Sequence, residues 1–181
     1  MKGVVFTEFL EMVESKYGLG TVDQIIEEST LKSKGIYTSI GTYDSNEIFQ
    51  LMDKLSQRTS IPSEELFYEF GTHFFNYIVK TYRYIFKLYK TPVDMLQSVE
   101  DHIHVQIKKI YSDAKLPVLT VIEKNSNLIE IKYTSGRGLY KFAEALIYMT
   151  FDHFDQKCKI TTKMLSQDGK IVSFLIEYDG K

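Results

Sequence analysis

Apolar residues in the first two thirds of the chain recur at helical spacing. Phe6, Phe9, Leu10, Val13 and Tyr17 form one stripe, and Gly18 and Gly20 predict its end. Val22 to Glu28 predict a short second helix, and the polar stretch Ser29 to Tyr43 predicts a loop. Asp44 with Glu47 three residues on reads as a capping box, followed by Ile48, Leu51, Met52 and Leu55 on one helical face. Pro62 suits the start of the next helix, which carries Leu66, Phe67, Phe70, Phe74, Phe75, Ile78 and Val79. Gly71 within it predicts either close helix packing or a bend. A short piece, Tyr82 to Tyr89, and one continuous helix from Thr91-Pro92 to about Tyr111 complete this part.

After Pro117 the period drops to two. Val118 to Ile122 and Leu128 to Tyr133 alternate around Asn125-Ser126-Asn127, which predicts a hairpin. Gly138 to Phe154 returns to helical spacing. Two last strands, about Cys158 to Leu165 and Ile171 to Tyr178, flank the turn Gln167-Asp168-Gly169. The expected class is α+β: a helical N-terminal part, then a β-β-α-β-β part with a four-stranded antiparallel sheet.

Composition narrows the function classes. A net charge of -2 disfavours a protein that neutralises many nucleic-acid phosphates. No apolar run reaches the roughly 20 residues of a membrane span. The first eight residues do not read as a secretory signal, so the expected compartment is the cytoplasm. A single cysteine, Cys158, excludes an intrachain disulfide and a cysteine-cluster metal site. Tyr and Phe are abundant, which suits a large aromatic core or a wide apolar pocket.

Two groups of residues carry candidate chemistry. His102 and His104 sit two apart, so a helix points them away from each other and they cannot chelate one metal. Both flank the stripe Leu96, Val99, Ile103, Ile107 and Ile110 equally, and periodicity does not choose between them as a single axial ligand. Tyr133, Ser135 and Arg137 share one side of an extended segment and offer two hydroxyls and a guanidinium to an anion. Taken alone, the triplet reads first as strand-end polarity.

His104, Pro117 and the Tyr133-x-Ser135-x-Arg137 pattern, in this order and spacing after Met1-Lys2-Gly3, resemble the haem nitric oxide/oxygen binding (H-NOX) family across essentially the whole chain. The resemblance implies a single domain over 1–181, with a distal helical part at about 1–60 and a proximal α/β part at about 61–181. It implies haem b, with His104 as the iron ligand and Tyr133, Ser135 and Arg137 on its propionates. Pro117 matches the proline that presses the porphyrin out of plane. Met1, Val5, Phe9, Phe74, Phe142 and Leu146 are the further expected cofactor contacts, most of them on the distal wall. Phe142 matches the position of a tyrosine that hydrogen-bonds oxygen in the oxygen-binding members, and Phe9 and Phe74 match two supporting positions.

Without a donor there, the expected ligand is nitric oxide, with carbon monoxide as a further candidate and little affinity for oxygen. The cysteine-rich zinc site of some members cannot be built. The expected role is a sensor rather than an enzyme. The chain ends without a catalytic module, so the expected output is a separate partner such as a histidine kinase or a cyclic-di-GMP enzyme. The rival readings are a haem enzyme acting on peroxide or nitric oxide, and a haem-free interaction module of the same fold.

Overall fold

A computed structural model describes residues 1–179. Its helices are α1 (Gly3–Tyr17), α2 (Leu19–Glu27), α3 (Asn46–Thr59), α4 (Ser63–Thr81), α5 (Arg83–Phe86), α6 (Pro92–Gln97), α7 (His104–Ile110) and α8 (Tyr140–His153). The strands are β1 (Val118–Lys124), β2 (Leu128–Thr134), β3 (Cys158–Met164) and β4 (Ile171–Tyr178). They form one antiparallel sheet in the order β1-β2-β4-β3, so the α+β expectation holds.

The alternation that predicted the strands is the alternation that buries them. Ile129, Ile131 and Tyr133 of β2 and Val172, Phe174 and Ile176 of β4 point to one side. There they pack with Val93 and Leu96 of α6 and Ala143, Ile147 and Phe151 of α8. A second core joins Phe6, Phe9 and Met12 of α1 to Ile25 of α2, Leu51 and Leu55 of α3, and Leu66 and Phe70 of α4. A third, smaller one gathers Phe75, Phe86 and Met95. Helix α4 therefore serves two cores, its first half facing the N-terminal helices and Phe75 lying in the third.

Three local expectations change. The capping box does not form: Asp44 Oδ1 accepts from the Asn46 backbone N–H at 3.0 Å, but Glu47 turns inward. Its carboxylate accepts from the Ser33 hydroxyl and from Tyr37 Oη at 2.7 Å. Those bonds hold the polar 29–43 segment to α3, and Phe6, stacked on Tyr37 at 4.4 Å, holds it to α1. Gly71 is a packing glycine: a Cβ there would lie 2.6 Å from Ala145 Cβ and 2.7 Å from the Phe142 carbonyl oxygen. Backbone-close contact of α4 with α8 needs that missing methyl.

The third change matters most. The segment predicted as one helix from Thr91 to Tyr111 is broken. Thr91 caps α6, its hydroxyl accepting from Asp94 N–H at 3.1 Å. A π-helical turn, Val99–Ile103, then separates α6 from α7. Ile103 N–H donates to the Ser98 carbonyl at 3.1 Å, and His104 N–H donates to that of Val99. Each such turn holds one residue more than an α turn. Everything after it is advanced by one residue, or about 100° of helix rotation.

Candidate functional site

A cavity of about 310 Å³ opens where the three cores meet. That one-residue advance brings His104 onto the apolar stripe with Leu96 and Ile107, and the side chain lines the cavity. His102 is turned away, with Nδ1 2.5 Å from Tyr89 Oη. Helical periodicity left the two histidines level because it assumed an unbroken α-helix.

His104 is buried, at 8% exposure. Its Nδ1 lies 3.1 Å from Glu100 Oε1, which also accepts from the Leu119 backbone N–H at 2.8 Å. Glu100 thus ties the imidazole to the first strand of the sheet. A carboxylate on Nδ1 fixes that nitrogen as the donor and leaves Nε2 with its lone pair. Burial holds the His104 pKa below the ordinary histidine value against the opposing pull of Glu100, so the ring is neutral near pH 7.

The polar set lies on β2 and the turn after it, and Tyr133, Ser135 and Arg137 all line the same cavity. Tyr133 is 2% exposed, and burial raises its phenol pKa. Arg137 Nη1 donates to the Lys115 carbonyl at 2.6 Å, and its backbone N–H donates to Ser135 Oγ at 3.3 Å. Among the described residues Arg137 has no carboxylate partner, although half-burial lowers its pKa. A guanidinium held at an apolar cavity without a counter-ion is suited to an anionic ligand.

The aromatic wall comes from α4 and α8. Phe142 packs on Phe70 at 5.0 Å and on Phe74 at 5.4 Å between ring centroids. Met1, Val5, Leu146 and Pro117 also line the cavity. Phe9 does not. It sits one layer back, fully buried, edge-on to Phe70 at 5.4 Å. The α1 stripe points it at the N-terminal core, and Phe70, absent from the sequence-based set, takes the lining position. Glu100 is likewise without a mark in the sequence, since a lone glutamate in a charged helix carries no signal.

Hydroxyls do reach the cavity. Tyr77, Tyr82 and Tyr111 line it, as does Thr150, whose Oγ1 donates to the Leu146 carbonyl at 2.8 Å. Met1 is anchored by its ammonium donating to the Tyr43 carbonyl at 2.6 Å. The next turn depends on Gly3, where a Cβ would stand 1.8 Å from the Thr38 carbonyl oxygen. The half-buried Cys158 thiol is unpaired and pushed up to about 11 by burial.

Taken together the cavity offers one neutral imidazole nitrogen, an apolar slot between aromatic side chains, and a cationic, hydroxylated edge. That combination fits a flat apolar metallocycle bearing carboxylates: a nitrogen for the metal and donors for the acids.

A family model described as Haem-NO-binding matches residues 2–162. An alanine-to-glycine variant of the Fe(II) unliganded H-NOX protein from K. algicida is 44% identical, with a TM-score of 0.96 over 99% of this chain and 97% of that one. The IWP-051-bound H-NOX from Shewanella woodyi in the Fe(II)CO state is 35% identical, with a TM-score of 0.82 over 98% of this chain and 94% of that one. An H-NOX protein from S. oneidensis in the Fe(II)NO state is 25% identical, with a TM-score of 0.90 over 99% and 100%. No curated protein matches the chain significantly.

Proposed function

The chain belongs to the haem-NO-binding family, whose H-NOX domains are haem-based gas sensors, and from that premise we propose that it binds nitric oxide at a ferrous haem b. Binding is signalled to a separate partner by a change of shape. One observation carries the reading: His104 presents a free Nε2 to an apolar cavity while Glu100 holds Nδ1.

When bound, haem would supply an iron centre able to take a diatomic gas. His104 Nε2 would be the protein nitrogen that holds that iron. Glu100 keeps the proton on Nδ1 and sets the plane of the ring. Tyr133, Ser135 and Arg137 hold the propionates, and Arg137 supplies the positive charge that their partial burial requires. Pro117, on the cavity wall, would be in contact with the macrocycle. Met1, Val5, Phe74, Phe142 and Leu146 exclude water, with Phe70 in the lining place expected of Phe9. None of these wall side chains carries a hydrogen-bond donor, which favours nitric oxide and carbon monoxide over oxygen. The same wall offers no acid or base for splitting a peroxide, which supports sensing over enzymatic turnover.

The parts that move are the helical segment at about 1–60 and the remainder, with α4 serving both. The switch would be a shift of His104, which Glu100 of the π turn would pass on to β1. A histidine kinase or a cyclic-di-GMP enzyme is the partner class this reading carries.

The test is the absorption spectrum of the reduced protein, recorded alone, in air and with nitric oxide. A five-coordinate ferrous spectrum that ignores air and changes with nitric oxide is expected. His104→Ala should abolish that ligation and His102→Ala should leave it intact. The reverse pair of results overturns the ligand assignment.

A further inference from the structure

The one buried side-chain nitrogen or oxygen without a hydrogen-bond partner among the described residues is His73 Nε2 on α4. Next to it is the Glu8 carboxylate of α1, with Oε2 3.5 Å away, and Glu8 is itself 8% exposed. Glu11 is one turn further along α1, on the same face as Glu8. Ligand atoms of all three residues lie within 4.8 Å of one another.

This arrangement is unusual on two counts. A buried imidazole nitrogen costs free energy when unsatisfied, yet His73 Nε2 faces the largely buried Glu8 carboxylate without a hydrogen bond to it. Burial lowers the His73 pKa, so the ring faces Glu8 neutral rather than as its counter-ion. It also raises that of Glu8, with Glu11 adding to the shift and Lys80 opposing it. A single cation among the three would satisfy every one of them. We propose that Glu8, Glu11 and His73 form a binding site for a zinc-class divalent transition ion, joining α1 to α4.

The donor set suits such an ion. Imidazole with carboxylates selects zinc and its neighbours over magnesium and calcium, which prefer all-oxygen sites. Tetrahedral ligands at about 2.1 Å from zinc stand about 3.4 Å apart. The exposed Glu11 side chain is free to close the remaining gap, and water fills the fourth position. None of the three residues lines the large cavity. Their neighbours do: Phe74 follows His73 directly, and Val5 lies one turn before Glu8. A metal here clamps the two helices that carry part of the aromatic wall.

The experiment uses the full haem-loaded chain, stripped of loose metal by chelator. It is dialysed against zinc, and zinc per chain is counted by elemental analysis while melting is followed with and without zinc. One zinc per chain and a zinc-dependent rise in melting temperature are expected. His73→Gln and Glu8→Gln should each weaken retention by at least about tenfold and abolish the rise. Glu11→Gln, at an exposed position, carries the test if either buried variant fails to fold. Magnesium in excess should not displace the ion. Failure to retain zinc, or retention unchanged in these variants, overturns the proposal. Haem absorbance in the same samples reports the cavity separately, so loss of one reading is distinguishable from loss of the other.

Discussion

Phe142 stands on the cavity wall with Phe70 and Phe74 around it, and its ring carries nothing that can donate. Replacing it by tyrosine adds a hydroxyl at little cost in shape. A donor to a partly charged bound oxygen contributes about 1.5–3 kcal/mol, or roughly ten- to hundredfold in affinity. Phe142→Tyr should therefore give a measurable oxygen complex on titrating the reduced protein with air; a spectrum still blind to oxygen would show that residue 142 does not govern gas choice. Glu100 acts on the other axis. Glu100→Ala leaves the His104 Nδ1–H and the Leu119 N–H without their acceptor, a cost of about 1–3 kcal/mol for each buried group. The iron–histidine stretch in resonance Raman spectra should move to lower frequency in Glu100→Ala and less so in Glu100→Gln, which keeps an oxygen acceptor. An unchanged stretch would remove Glu100 from the tuning of the ligand. Neither Glu100 nor Phe70 is visible in the sequence as a site residue, because each acquires its role from a neighbour brought close by folding.

Elements were legible where a single period governs them. Strands β2 and β4 alternate because one side of the sheet meets α6 and α8, and that alternation is written in the residues. The 29–43 segment reads as polar loop, and nothing in its composition reveals that Glu47 and Phe6 hold it down. The break at Val99–Ile103 was equally hidden, since a π turn differs from an α turn by one residue and no residue type marks it. Gly71 left two readings open, and the 2.6 Å approach to Ala145 decides for packing. Gly71→Ala gains up to about 1 kcal/mol in helix propensity but overpacks the α4–α8 contact by about 1–3 kcal/mol. A net loss of stability is expected in chemical denaturation. The haem spectrum should shift as well, since the displaced backbone is that of Phe142. A more stable variant with an unaltered spectrum would show that the two helices separate freely.

Across the whole molecule, the N-terminus is tied to the segment leading into the sheet. Lys2 pairs with Thr42 in an isolated bridge and its ammonium lies 3.0 Å from Asp113 Oδ1, while Thr42 Oγ1 donates to Asp113 Oδ2 at 2.6 Å. Hydrogen bonds from Thr42 and then Lys2 lower the Asp113 pKa from 3.8 to about 2. A depressed carboxylate stabilises the fold fully above its unfolded pKa and loses that contribution as pH falls through its folded one. Melting temperatures of the wild type and Asp113→Asn should therefore differ above pH 4 and converge as pH falls towards about 2. A constant gap across that range would place the stabilisation elsewhere. This tie joins the ends of the cavity wall, since both Lys2 and the 114–117 stretch line it.

The π turn has an evolutionary corollary. Counted in residues, His104 comes one place later than its helix requires; counted in angle, it is on time. The added residue is absorbed within Val99–Ile103, and neither flank is rotated relative to a helix lacking it. A lineage could gain or lose that residue in one step and keep its histidine aimed into the cavity. Relatives with a one-residue gap between α6 and the histidine should hold the imidazole in the same direction, on a straight helix.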